Sequence, residues 1–163
     1  KKITYPWTTE AGFGAVAPDG LYEFDKEATK HAGLSLDYVG REARRVHNFI
    51  LARTLKLRGS MDYSNLGGKT VALVDDGIAT GYTMIVAVKF LRRVGVKEVV
   101  VATPTASIDG ALITSKEADK LLVLNLRTGP FYAVADAYIE WHDVSDEEAV
   151  QYIKQTTPIN PRR

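Results

Sequence analysis

The stretch Val71-Ala72-Leu73-Val74-Asp75-Asp76-Gly77-Ile78-Ala79-Thr80-Gly81-Tyr82-Thr83 constrains this chain more than any other. Its four leading residues are apolar, with valine at either end, and read as a buried strand. Two adjacent carboxylates, Asp75 and Asp76, stand where that strand should end. A Gly/Thr-rich turn then leads into residues 84–94, whose apolar positions keep helical spacing.

Strand, glycine turn and helix N-terminus together form a natural anion site. The first helical N–H groups lack intrahelical partners, and the helix dipole favours negative charge in front of them. Gly77 and Gly81 let the backbone take positive φ and approach a ligand closely, and Thr80 and Thr83 add hydroxyl donors. The loop therefore suits a phosphate. The aspartates cannot share that phosphate; they suit hydroxyls such as a ribose diol, or a phosphate-bound Mg²⁺. The plainer alternative is an ordinary βα turn in which Thr80 or Thr83 caps the helix and the aspartates are surface polar groups. The loop is no Walker A motif, because no Gly-Lys-Ser/Thr follows its glycines.

The remaining elements follow from pattern. Residues 12–24 read as a β-hairpin turning at Pro18-Asp19-Gly20, with Leu21-Tyr22-Glu23-Phe24 alternating as a strand should. Residues 25–33 are polar, irregular or one short helix. Ser35 is an N-cap candidate for a long helix over residues 36–57. That helix carries Arg41, Arg44, Arg45, Arg53, Lys56 and Arg58 against the single acid Glu42. It is either a solvated basic face or the edge of an anionic-ligand site; no aromatic stacking pattern accompanies the charges to suggest nucleic acid. Residues 58–69 are polar and Gly-rich, a mobile loop or a plain connector. Gly95 closes the helix over 84–94. Residues 99–103 form the next buried strand, ended by Pro104. A weaker helix over 107–118, interrupted at Gly110, and a third buried strand over 121–124 follow. Strand, helix, strand, helix, strand with apolar strands specifies a parallel sheet covered by helices, with ligands at the carboxyl ends of the strands. Phe131, Tyr138 and Trp141 sit at roughly alternating strand positions, as core or as a surface for stacking on a base. Ser145-Asp146-Glu147-Glu148 is a capping box for a last helix over 147–155, and 156–163 is a polar tail.

Composition removes several function classes. The 163 residues suffice for one domain, here divided into 1–66 (hairpin, basic helix, flexible loop) and 67–163 (α/β core, aromatic segment). A net charge of +1 makes no case for nucleic acid or a membrane surface. Without cysteine there is no thiol nucleophile, disulfide framework or cysteine metal site, which fits a cytoplasmic location. No apolar run approaches the ~18 residues a membrane span needs. His31, His47 and His142 have no metal-ligand spacing, so no metal site is read from motif. Trp7 lies in a loop and is a candidate for a ligand or subunit contact. Ser107 lacks the Gly-x-Ser-x-Gly setting of a hydrolase nucleophile.

Four apolar residues, two acids and G-x-A-T-G-x-T resemble the phosphoribosyl pyrophosphate (PRPP) signature of type I phosphoribosyltransferases. Residues 14–17 with the Gly turn after them, the basic helix, the 131–141 aromatics and residues 144–148 resemble a subgroup of predicted phosphoribosyltransferases, so the likeness spans nearly the whole chain. It implies a Rossmann-like parallel sheet flanked by helices under a small hairpin-plus-helix hood. It implies that Asp75 and Asp76 hold the ribose hydroxyls, and that Gly77, Ala79, Thr80, Gly81, Tyr82 and Thr83 wrap the 5′-phosphate. Lys1 and Lys2 resemble the Arg-Lys pair that faces pyrophosphate. In the family a strand, a Pro-Arg-Gly-Gly-like pyrophosphate loop and a helix precede that pair, so on this match the chain begins partway through the fold. Residues 58–69 resemble in position the loop that closes over pyrophosphate and excludes water.

The reaction implied is transfer of a 5-phosphoribosyl group from PRPP to a nitrogen nucleophile, a nucleobase or related acceptor, with Mg²⁺ as cofactor and pyrophosphate released. A homodimer would be in keeping with the family. Two alternatives stand beside it: a PRPP- or nucleotide-binding regulator on the same scaffold without transfer, and a structural α/β module whose loop binds anions incidentally.

Overall fold

A computed structural model describes residues 1–129 and 132–155. Two small sheets form. The first is antiparallel, in the order β1 (Lys2–Thr4), β2 (Gly12–Val16), β3 (Tyr22–Phe24). The second is parallel, in the order β4 (Thr70–Val74), β5 (Glu98–Ser107), β6 (Lys120–Arg127). Helices α3 (Tyr82–Val94) and α4 (Ile108–Ser115) are its crossovers; α1 (Lys26–His31), α2 (Leu36–Arg58) and α5 (Asp146–Gln155) are the other α-helices among the described residues.

Local chemistry sets most boundaries. The Ser35 hydroxyl accepts from Tyr38 N–H at 3.1 Å and opens α2. Gly59, at φ +69°, closes it. Gly95, at φ +85°, ends α3, and the next N–H, from Val96, reaches back to Leu91 O at 3.1 Å in a Schellman arrangement. The hairpin pairs Val16 with Tyr22 and Gly14 with Phe24. The capping box also forms, with Ser145 Oγ accepting from Glu148 N–H at 3.2 Å.

β2 joins two cores because it is buried on both faces. Phe13 and Val16 pack with Ile3 and with Val39, Ala43 and Val46 of α2. Ala15 and Ala17 pack with Met84, Val86, Val88 and Leu91 of α3, which in turn cover Val99 and Val101 of β5. The hairpin and α2 thus sit as a hood over α3, and α3 hands the packing on to the parallel sheet.

Several expectations change. β5 does not end at Pro104. The carbonyls of Ala102 and Thr105 both accept from the β4 side, an odd spacing that absorbs the missing proline N–H as a local irregularity. Helix α4 runs through Gly110 uninterrupted. The aromatic segment is no strand: residues 134–137 form a 3₁₀ turn, and Tyr138 and Trp141 stay partly exposed in an edge contact at 5.1 Å. Phe131 and the 156–163 tail lie outside the described residues. Within residues 58–69, Tyr63 packs edge-on against Phe90 at 4.8 Å, under the Arg58 guanidinium at 3.9 Å. Finally, α3 and α4 cover only one face of the parallel sheet. On the other, Val74 is 74% and Leu124 87% exposed among the described residues, although the sequence reads these strands as buried on both sides.

Candidate functional site

The site forms where β4 stops. Asp75 N–H still bonds to Ala102 O at 3.4 Å, the last rung of the β4–β5 ladder. Asp75 is half-buried and Asp76 exposed. Burial, and next the neighbouring Asp76 charge, raise the Asp75 carboxyl from 3.8 to about 6. The Asp76 N–H donating to Asp75 Oδ1 at 3.2 Å and the nearby Lys1 amino group hold that rise in check. Two adjacent carboxylates, one of them poorly hydrated, have the chemistry to accept from hydroxyl donors or to ligate a cation.

The chain then leaves the sheet without losing contact with it. Ile78, 2% exposed, forms a one-residue parallel bridge with Ala106. Its N–H donates to Thr105 O at 3.0 Å, and its carbonyl accepts from Ser107 N–H at 2.9 Å. Gly81 follows at φ +78° and begins α3 with no side-chain cap. Neither Thr80 nor Thr83 caps the helix, so the plain capped-turn reading fails at this point. The backbone N–H groups of Ala79, Thr80 and Gly81 have no hydrogen-bond partner among the described residues. Ala79, Thr80 and Thr83 are exposed. Open amides, two free hydroxyls and a helix N-terminus therefore converge next to the two acids.

The two glycines serve different needs. Gly81 requires the left-handed backbone. Gly77 does not take positive φ; instead a Cβ there would lie 2.5 Å from Val134 Cγ1 and 3.0 Å from Thr105 Cγ2. Gly77 is small because the 132–141 segment presses on it. Tyr138 Oη seals the same contact by donating to Asp76 O at 2.7 Å. The Tyr82 ring turns into the hood instead, where burial, then Asp25 and Glu23, raise its pKa.

The two lysines part company. Of Lys1, the α-amino group feels the Asp75 carboxylate, while the side-chain Nζ lies 4.6 Å from the Phe49 ring centroid of α2, where burial followed by Arg53, Lys2 and Arg45 lowers its pKa. Lys2 Nζ turns the other way and donates to Glu10 O at 2.8 Å. On the basic helix, Arg45 pairs with Glu42, Arg53 with Asp146, and Lys56 with Glu147 at 2.7 Å. Those pairs tie α2 to itself and to α5. His47 Nε2 lies 3.0 Å from Pro18 O, a structural contact. Trp7 stacks on Tyr5 at 5.2 Å on the rim of a 630 Å³ hollow between the β1–β2 loop and α2.

Val134 escaped the sequence reading, because Gly77, the residue it presses on, lies far away along the chain. Tyr138 reads from the sequence as core or as a stacking surface, and the structure instead bonds its hydroxyl to Asp76 O. Ser107 reads only as the start of a weak helix without a hydrolase setting; that its hydroxyl caps α4 and also reaches Ala79 O at 2.6 Å is visible only in the structure.

The family model described as "Phosphoribosyl transferase domain" matches residues 22–128. The chain is 30% identical over 155 residues to "Putative phosphoribosyl transferase Rv0571c" of Mycobacterium tuberculosis, covering 94% of this chain and 34% of that protein. It thus spans about a third of the length of that curated relative. A ribose-phosphate pyrophosphokinase from Pyrococcus abyssi is 46% identical over 63 residues, 37% of this chain and 22% of its own. An amidophosphoribosyltransferase from Rhizobium etli is 36% identical over 88 residues, 52% of this chain and 18% of its own. Among solved structures, TT1426 from Thermus thermophilus superposes with a TM-score of 0.65 at 29% identity, over 93% of this chain and 71% of that one.

Proposed function

This chain belongs to the phosphoribosyl transferase domain family, and from that premise we propose that it binds PRPP and transfers its 5-phosphoribosyl group to a nitrogen nucleophile. The observation that carries this reading is the juxtaposition of the Asp75–Asp76 pair with the uncapped N-terminus of α3. One end suits a sugar diol and the other a phosphate, the two ends of a ribose 5-phosphate.

The roles follow from donor and acceptor capacity. Asp75 and Asp76 accept from the ribose 2′- and 3′-hydroxyls. The amides of Ala79, Thr80, Gly81, Tyr82 and Thr83, with the Thr80 and Thr83 hydroxyls, hold the 5′-phosphate, and Gly77 lets the chain pass beneath Val134. Lys1, if its side chain leaves Phe49, and Lys2, if it leaves Glu10, would face the pyrophosphate. The bond from ribose C1 to the pyrophosphate oxygen breaks, a bond from C1 to the acceptor nitrogen forms, and the acceptor gives up a proton. The chain's part is to hold the ribose in place while charge separates at C1.

A Mg²⁺ arriving with PRPP fits these residues. No group of three His, Asp or Glu among the described residues is placed to hold a metal alone. Mg²⁺ commonly binds through one or two carboxylates plus substrate phosphates, and Asp75 with Asp76 would supply the carboxylates. Bound there, it would offset negative charge on the departing pyrophosphate.

Titration of the chain with PRPP and Mg²⁺ should show saturable binding, and the Asp75→Asn/Asp76→Asn double variant should lose it. Equal binding by the double variant refutes the ribose assignment. Incubation with PRPP and a panel of bases and amines should release pyrophosphate. Binding without release would favour the regulatory reading over transfer.

A further inference from the structure

We propose that Ser107, on the far side of the phosphate loop from any ligand, is the residue that aims the loop's amides, so that it positions the phosphate site without touching its occupant. This inference rests on the functional reading above.

Peptide planarity sets the geometry. In a trans peptide the C=O and the following N–H point in opposite directions. Ser107 holds two consecutive loop carbonyls. Its backbone N–H donates to Ile78 O at 2.9 Å, and its hydroxyl donates to Ala79 O at 2.6 Å. Both carbonyls are thereby drawn toward the start of α4. The N–H groups on the other side of those same peptides, from Ala79 and Thr80, must then point away from α4. Those amides have no partner among the described residues, and both residues are exposed. Two successive free amides beside a helix N-terminus make a concave anion cradle.

The neighbouring packing holds this clamp shut. Ser107 Oγ also accepts from Gly110 N–H at 2.9 Å as the N-cap of α4, so its one proton and one lone pair are engaged and its rotamer is set by two partners. A Cβ on Gly110 would run into Ala79 O, and one on Gly81 would lie 2.8 Å from Ile113 Cγ1 and 2.9 Å from Gly110 O. A loop without this clamp could rotate its peptides and present carbonyls to the phosphate. The hydroxyl's two bonds separate its roles: accepting from Gly110 caps a helix, whereas donating to Ala79 orients the loop.

That separation supplies the test. Ser107→Gly removes the donor to Ala79 O, brings no charge to the phosphate site and leaves a residue that helices tolerate at the N-cap; Ser107→Thr keeps both functions. Affinity for PRPP with Mg²⁺ is read by calorimetry, and stability by urea denaturation, for the wild type and both variants. Ser107→Gly should stay close to wild-type stability and bind PRPP about tenfold more weakly or worse, whereas Ser107→Thr should keep both. Ser107→Gly binding as tightly as the wild type, or Ser107→Thr binding as weakly as Ser107→Gly, would overturn the positioning role while leaving the functional reading intact. A wild type that does not bind PRPP would overturn the functional reading and, with it, the role given to Ser107.

Discussion

Asp75→Asn should make the protein more stable at pH 8 while weakening its hold on ribose. The Asp75 carboxyl is raised from 3.8 to about 6 by burial and then by the Asp76 charge, so the folded chain resists ionising it. That displacement corresponds to about 3 kcal/mol at most. Water reaching the half-buried group trims it to about 1–2 kcal/mol. The sign follows from proton binding. As pH falls, the folded chain takes up the Asp75 proton before the unfolded chain does, so stability grows as pH drops from about 6 toward 4. The cost is fully present above about pH 7. Asparagine keeps an oxygen to accept from Asp76 N–H, now 3.2 Å from Asp75 Oδ1, but carries no charge. Urea denaturation of both proteins at pH 8 should show the variant more stable by about 1–2 kcal/mol, and the gap should close near pH 4. The Lys1 α-amino group, lowered to about 6 chiefly by burial, is raised in part by the Asp75 charge, so the two proteins are compared at pH 8 and pH 4, where one member of that pair is uncharged. PRPP binding at pH 8 should fall at least about tenfold in the variant. A gap that does not change with pH, or a variant less stable at pH 8, would refute the claim that the site stores an unfavourable charge for ligand binding.

Three further outcomes test the packing around the site. Gly77→Ala should cost about 1–3 kcal/mol in urea denaturation, because its Cβ would meet Val134 Cγ1 at 2.5 Å; adding Val134→Ala should recover part of that loss, and strict additivity would show that the two do not touch. Tyr138→Phe removes the 2.7 Å bond to Asp76 O and should cost about 0.5–1 kcal/mol by the same assay; an unchanged midpoint would show that this bond does not tie the C-terminal segment down. Val101→Ala, at a fully buried position, should cost roughly 2 kcal/mol, whereas Leu124→Ala, at a side chain 87% exposed, should stay within about 0.5 kcal/mol. Equal losses would mean that both sheet faces are covered.

Much of the fold was legible because its signals are short in range. Ser35 and Gly59 bracket α2, Gly95 ends α3, and the hairpin turns at Pro18-Asp19-Gly20, each through a hydrogen bond or dihedral set by residues a few positions apart. The misreadings involve longer range. Pro104 looked like a stop, but β6 on one side and Ile78 on the other carry the strand past it. The aromatic segment looked like a strand because its rings fall at roughly alternating positions; the 134–137 turn is set by what it rests on, namely Gly77 and Asp76.

The candidate site divides the same way. The order strand, Asp75, Asp76, glycine turn, helix follows from the sequence alone, since adjacency in the chain already places two acids beside a helix N-terminus. Which direction the loop's amides point does not. That orientation depends on Ser107, twenty-eight residues from Ala79 and adjacent to it only because β4 and β5 pair in parallel and Ile78 extends the pairing by one rung. The elevated Asp75 carboxyl is likewise a tertiary property, because it takes burial to deprive a carboxylate of water. Residue type and spacing determined the chemistry present in the motif; the packing of β5, α4 and the 132–141 segment against it decided how that chemistry is presented.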